Sequence, residues 1–288
     1  MLRMISRFVL LSFLFTLLAT LIACKKKEES AASKQGRVSA TEAYEKYFGP
    51  APTTDKGTCY AFVIYFPSAR EPGKVVPFPF FTFDDASIKK VAVERLLGGM
   101  DIGSYQGEFI PFPSGIRLIA INDNQGTVTV NFSKELDKST EGATARALAL
   151  TLRQFKGVKD IRLQEEGKES PLSTLVTTAD DSAVQQPAPP RLLSVTAMRD
   201  KGAKNIEDVN AFFDRPVDVK ELKLLSKDGQ QFAGDLYHSV FDMAAVLKPK
   251  DASQFKERMP IKVRWKVIDK VGRQAEGDNV WLLEVKEH

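Results

Sequence analysis

Acids in suggestive places are the first residues to weigh for chemistry. Asp84 and Asp85 stand side by side, and Glu94 and Glu108 follow within one stretch. A pair of carboxylates can cleave a glycosidic bond when one is held as an acid and the other as a base or nucleophile. Adjacent acids at a helix start are ordinarily caps, however. Glu94 fits a solvated helix face and Glu108 a loop. His238 has Asp235 and Asp242 nearby in sequence, which makes it a base on paper, but no nucleophile is legible beside it. The patterns G-x-S-x-G, H-E-x-x-H and the Walker A loop are absent. No catalytic residue and no cofactor is therefore assigned. His238 and His288 are the only histidines, and Cys-His ligand spacing is missing, so no metal site is expected.

The residue with the clearest chemistry is Cys24. Arg3 and Arg7 precede an apolar run from Phe8 to Ala23, 16 residues long. A membrane-spanning helix needs about 20, so the run suits a secretory signal better. Leu21-Ile22-Ala23-Cys24, followed at once by Lys25, Lys26 and Lys27, resembles the lipobox of bacterial lipoproteins. The resemblance implies that the signal (1–23) is removed and that Cys24 carries acyl chains. Each buried methylene contributes about 0.8 kcal/mol, and two or more chains hold stably. The three lysines would then lie against anionic headgroups.

Charge and cysteine use bound the partners. The chain of 288 residues has a formal net charge of +4. Removing the two signal arginines leaves about +2. Nothing in that balance suggests nucleic acid. With Cys24 acylated, Cys59 has no disulfide partner. It lies in the apolar run Tyr60-Ala61-Phe62-Val63-Ile64 and reads as a small buried hydrophobe.

Residues 24–56 are small, polar and charged at their start and read as a flexible tether. A first domain is expected over 57–170. Cys59–Phe66 has strand length. Val75–Phe83 is aromatic, but Pro77 and Pro79 restrict it to an edge strand or a loop. Ile88, Val91, Ala92 and Leu96 recur at helical spacing before Gly98-Gly99. Strands at 115–121 and 127–132 flank a turn, making a hairpin. Ala145, Leu148, Ala149, Leu152 and Phe155 share a helix face, and Val158–Gln164 is a last strand. This order predicts an α+β domain: a mixed sheet with two helices on one face. The Pro-rich stretch 171–190 is expected to be an extended linker. Over 191–288, turns at short spacing and the alternation of Ile261, Val263, Trp265 and Val267 predict an all-β immunoglobulin-like sandwich.

The first domain resembles the GerMN domain. The matching residues are Val93–Gly99, Ile110-Pro111, Gly126–Ser133, Leu150-Thr151-Leu152-Arg153-Gln154-Phe155 and Val158–Gly167, over roughly 60–168. Gly99 departs from the proline that many relatives carry there. The resemblance implies an envelope module, often lipid-anchored, of the sporulation and germination type. In the second domain, Ala211-Phe212-Phe213-Asp214-Arg215-Pro216-Val217 resembles the F-x-x-P-V strand-end pattern of bacterial immunoglobulin-like domains.

Phe78, Phe80, Phe81, Phe83, Phe109 and Phe112 form the one candidate binding surface, a groove for a peptide or glycan strand. Packing in the core explains the same rings. The function expected is a lipid-anchored, non-enzymatic binding module near the cell wall. Its partners would be the membrane and either peptidoglycan or another envelope protein. The alternative is a hydrolase, or an accessory of one, acting on peptidoglycan glycan strands.

Overall fold

The computed structural model describes residues 36–55, 57–100, 102–134, 142–177 and 179–287. Residues 36–288 fall into one compact unit. The signal, Cys24 and Lys25–Lys27 lie outside the described residues.

Strand β1 (Arg37–Ala40) and helix α1 (Glu42–Phe48) stand where a flexible tether was expected. Thr41 caps the helix, its Oγ1 accepting from Tyr44 N at 3.2 Å. Tyr44, Tyr47 and Phe48, at helical spacing, bury their rings. Strands β2 (Thr58–Pro67) and β3 (Val75–Thr82) complete a three-stranded sheet of order β1-β2-β3. Pro77 and Pro79 stand opposite Tyr65 and Val63. They share one parity on an edge strand, so neither has to donate toward β2.

Helix α2 (Ile88–Leu97) follows and ends at Gly98. Strands β4 (Leu118–Asn124) and β5 (Thr127–Phe132) are joined through Gln125 and Gly126, both at positive φ, as a tight hairpin turn requires. Helix α3 (Gly142–Arg153) precedes β6 (Asp160–Glu165) and β7 (Lys168–Glu169). These strands form a second sheet of order β4-β5-β6-β7, in which β5 and β6 run parallel. Helix α3 is buried on almost every face. It packs on β2, β3 and β6, and on α2 and the short helix α4 (Ser173–Thr177).

The single mixed sheet with two helices on one face is therefore not what forms. The β4–β7 sheet is separate from β1–β3, and a helix lies against both. The physical reason lies past Ala61, where β1 stops pairing with β2. Helix side chains, not another strand, take over the open edge of β2 there, as described below.

Helix α4 and a 3-10 turn at Asp181–Ala183 occupy part of the stretch expected to be an extended linker. Val176 and Ala179 join the first core. Gln185 N donates to Val75 O at 2.9 Å, covering the start of the β3 edge.

The remaining strands are β8 (Leu192–Arg199), β9 (Asp208–Phe213), β10 (Val217–Leu225), β11 (Gly234–His238), β12 (Ala244–Pro249), β13 (Pro260–Asp269), β14 (Gln274–Leu282) and β15 (Glu284–Glu287). They form an open three-stranded sheet, β10-β13-β14, and an open five-stranded sheet, β11-β12-β9-β8-β15. The expected immunoglobulin-like sandwich is not formed. The sheets do not close on each other, and the last strand, β15, pairs parallel to β8. Alternation in β13 correctly marks one buried face, with Ile261, Val263, Trp265 and Val267 inside. A buried face says nothing about how its sheet is completed. Gly277 stands opposite Trp265, and a Cβ there would come within 2.6 Å of the indole nitrogen. The second core, from Leu192 to Leu283, is distinct from the first.

Candidate functional site

The polar residues of the Leu150–Phe155 stretch are consumed by backbone. Gln154 Oε1 accepts from Val63 N at 2.8 Å, and its Nε2 donates to Val63 O. The carboxamide thus imitates a neighbouring strand for β2. Thr151 Oγ1 accepts from Tyr65 N at 3.2 Å, two residues along the same edge. Arg153 Nη2 donates to Val176 O at 2.6 Å and Thr177 O at 2.9 Å, and Nη1 donates to Ala179 O. Its guanidinium gathers the free carbonyls at the end of α4. Asn131 accepts from Gly167 N, and Ser133 accepts from Arg117 N. All these groups hold elements together.

The acids are scattered among separate tasks. Asp84 accepts from Ser87 N at 3.1 Å and from Ser87 Oγ, and these bonds hold its carboxyl below the usual range. Asp85 is exposed. Glu94 lies 3.8 Å from Lys90 on an exposed helix face. Glu108 Oε1 takes Arg70 Nη2 at 2.7 Å and Arg191 Nη1 at 2.6 Å. His238 lies 3.9 Å from Asp242, whose other oxygen is 3.0 Å from Lys270. Among the described residues no cluster of three or more His, Cys, Asp or Glu side chains is placed to hold a metal. Cys59 is buried and free, and burial pushes its thiol pKa up.

The six phenylalanines divide. Phe78 and Phe112 are buried in the first core. Phe109 meets Phe78 edge-on at 5.3 Å between ring centres. Phe80 lies under the Arg95 guanidinium. Phe81 stacks on Phe241 at 4.6 Å, and Phe83, 55% exposed, lies 5.8 Å from the same ring. Phe109 alone among the six lines the polar cleft described next.

That cleft, about 520 Å³, opens where the two cores meet, a volume ordinary for ligand sites. Tyr105 and Phe109 supply its aromatic lining. Arg70, Lys74, Arg191 and Arg215 supply four cations against the acids Glu71 and Glu108. Arg191 lies 4.2 Å over the Tyr105 ring and donates to Ser104 O at 3.0 Å. Tyr105 donates its hydroxyl to Asp214 Oδ2 at 2.8 Å, and burial raises its pKa. Arg215, 3% exposed, pairs with Asp214 at 2.8 Å and with Asp269 at 3.6 Å. Burial opposes its charge, yet Asp214 and Asp269 hold its pKa above the ordinary value. Asp269 also takes Arg273 Nε at 2.6 Å, and Arg273 Nη2 donates to Tyr47 O at 2.7 Å. The cleft is thus laced with ion pairs and partly aromatic, Arg215 being neutralised by Asp214 and Asp269, and the exposed Arg70 guanidinium suits a ligand presenting carboxylate or carbonyl oxygens.

Sequence reasoning picked out Glu108 and Phe109. It missed Arg191, Tyr105 and Arg215. The only signal for these was the adjacent Asp214-Arg215 pair inside an otherwise apolar stretch.

Residues 63–171 match the family described as Germane: Sporulation and spore germination. The chain thus carries a GerMN-type domain, in agreement with the resemblance over 60–168. No curated protein matches the chain. Among solved structures, the first GerMN domain of the sporulation protein GerM from Bacillus subtilis is 22% identical, covering 38% of this chain and 84% of that one, with a TM-score of 0.32. The tandem GerMN domains of the same protein are 16% identical, covering 60% and 58%, with a TM-score of 0.33. CopC from Methylosinus trichosporium OB3b is 14% identical, covering 33% and 89%, with a TM-score of 0.23. At these TM-scores the overlays establish no shared fold. Among the described residues no helix is long and apolar enough to cross a membrane.

Proposed function

We propose that this is a lipid-anchored envelope protein whose folded unit binds a wall or envelope partner without catalysis. The observation that carries this reading is the polar and aromatic cleft lined by Arg70, Tyr105, Glu108, Phe109 and Arg191, while Thr151, Arg153 and Gln154 serve as backbone partners. The GerMN-type domain supports an envelope setting. Cys24 would hold the chain to the bilayer through its acyl chains. The cleft between Arg70 and Arg191 would take the acceptor-rich partner, for which peptide carboxylates of peptidoglycan are the proposed chemistry.

Sedimentation of the detergent-solubilised full-length protein with insoluble peptidoglycan tests this. The protein should pellet with the wall and release no new reducing ends. Arg191→Ala should weaken pelleting, whereas Asp84→Asn, Asp85→Asn and Glu94→Gln should leave it unchanged. Release of reducing ends that one of those acid variants abolished would replace this reading with a hydrolase.

A further inference from the structure

Phe83 and Val240 are 55% and 60% exposed, among the more exposed large apolar side chains of the described residues, and what sets them apart is that they lie together. They belong to distant parts of the chain but share one corner. Val240 precedes Phe241 in the tip between β11 and β12, and Phe241 bridges Phe81 and Phe83. Phe241 and Asp242 both hold positive φ, at 66° and 54°, a conformation that side-chain-bearing residues rarely adopt in succession. The tip is fixed in place by Asp242, which binds Lys270, and by Ser239 Oγ, which accepts from Ala244 N at 2.8 Å.

The same corner is where the chain enters the fold. Arg37 N donates to Gly57 O at 2.8 Å, and a Cβ on Gly57 would lie 3.8 Å from the Phe83 ring. Arg37 is itself exposed. Eleven residues lie between Cys24 and Gly36, and the twelve steps joining them reach at most ~43 Å however they are arranged. An acylated Cys24 therefore keeps this corner, of all the fold, nearest along the chain to the bilayer.

We infer that Phe83, Val240 and Phe241 form a membrane-interface patch, with Arg37 beside it for anionic headgroups. Acyl chains alone would leave the unit free to turn, whereas the patch fixes which face meets the lipid and leaves the Arg70–Arg191 cleft accessible. Apolar rings and aliphatic groups beside a cation suit the headgroup boundary. The inference rests on the acylation of Cys24 proposed above.

The test uses the full-length acylated protein in phosphatidylcholine–phosphatidylglycerol vesicles. Val240→Cys carries an environment-sensitive fluorophore, with Cys24 acylated and Cys59 buried. Glu71→Cys is the control, since it lies beyond the far end of the β2–β3 hairpin. Pro67 pairs with Val75 there while Tyr60 pairs with Thr82, a separation of ~23 Å by strand rise. The label at 240 should shift to the blue and be quenched by a lipid-phase quencher, while that at 71 stays water-like. Equal, water-like emission from both labels on protein that floats with the vesicles overturns the patch and leaves the anchor standing. Failure to float overturns the anchor, and the patch with it. A blue shift that needs no vesicles and grows with protein concentration assigns the corner to a second copy instead.

Discussion

Tyr105 belongs to the first hydrophobic core, Asp214 follows Phe213 of the second, and one buried hydrogen bond of 2.8 Å joins the two residues. Asp214 also holds Arg215 through both oxygens, at 3.0 and 2.8 Å, and accepts from Arg191 N at 3.1 Å. A single carboxylate therefore ties the GerMN-type domain to the strands that follow it. Tyr105→Phe should cost about 1.5–3 kcal/mol, as loss of a hydrogen bond to a charged group does. Asp214→Ala, which strands a buried guanidinium, should cost about 3–5 kcal/mol. Urea unfolding checks both values. The parent should unfold in one transition, and Asp214→Ala should lower its midpoint or split it.

Close backbone approach joins the same two parts at Gly103, which has φ +52°. A Cβ there would lie 2.0 Å from Leu193 O. Gly103→Ala should therefore destabilise by more than the ~1 kcal/mol ordinarily attached to glycine conformational effects. The lowered melting temperature should appear in the whole unit rather than in one part. Gly107→Ala, where a Cβ meets nothing within 4 Å though φ is +72°, should show only the conformational cost.

Replacement of Gln154 separates strand mimicry from simple packing. Gln154→Glu keeps an acceptor for Val63 N but cannot donate to Val63 O when ionised. Stability should fall by about 1–3 kcal/mol, the cost of a buried unsatisfied group. Amide exchange at Val63 should quicken in both Gln154→Glu and Gln154→Ala. An unchanged exchange rate would mean that β2 is held without this side chain.

Alkaline pH should unfold the protein through its tyrosines. Burial raises the pKa values of Tyr44, Tyr65 and Tyr105 well above 10, the ordinary value. The unfolded chain releases these protons near pH 10 while the fold retains them. The unfolded state then binds fewer protons, so the contribution of these tyrosines is constant below that pH and falls above it. Tyrosinate absorbance should rise together with loss of structure for these three. The half-exposed Tyr237, pushed up to about 12 by its bond to Asp208, should ionise without unfolding the protein.

Local elements were legible where one physical signal sufficed. The period of Ile88, Ala92 and Leu96 and the Gly98-Gly99 stop gave α2, while Pro77 and Pro79 restricted β3 to an edge strand or a loop and the pairing with β2 decided for the edge strand. Tyr44, Tyr47 and Phe48 carried the same helical spacing, but the polar residues before them read as tether, so α1 went unseen. Sheet closure was illegible, because alternation in β13 reports a buried face and not the partner that completes its sheet. The single mixed sheet failed for a related reason. A glutamine closing a strand edge leaves no period in the sequence. The cleft was half legible: Glu108 and Phe109 lie together in the chain, whereas Arg191 and Arg215 reach it only through the fold.

The address of the protein is the claim from which the binding reading and the membrane patch both descend. Mass spectrometry of the mature amino terminus, taken on material from separated membrane and soluble fractions, tests it directly. Membrane-bound protein beginning at Cys24, with acyl mass on that residue, is the predicted result. Soluble protein that keeps Met1 and a bare thiol at position 24 would contradict it.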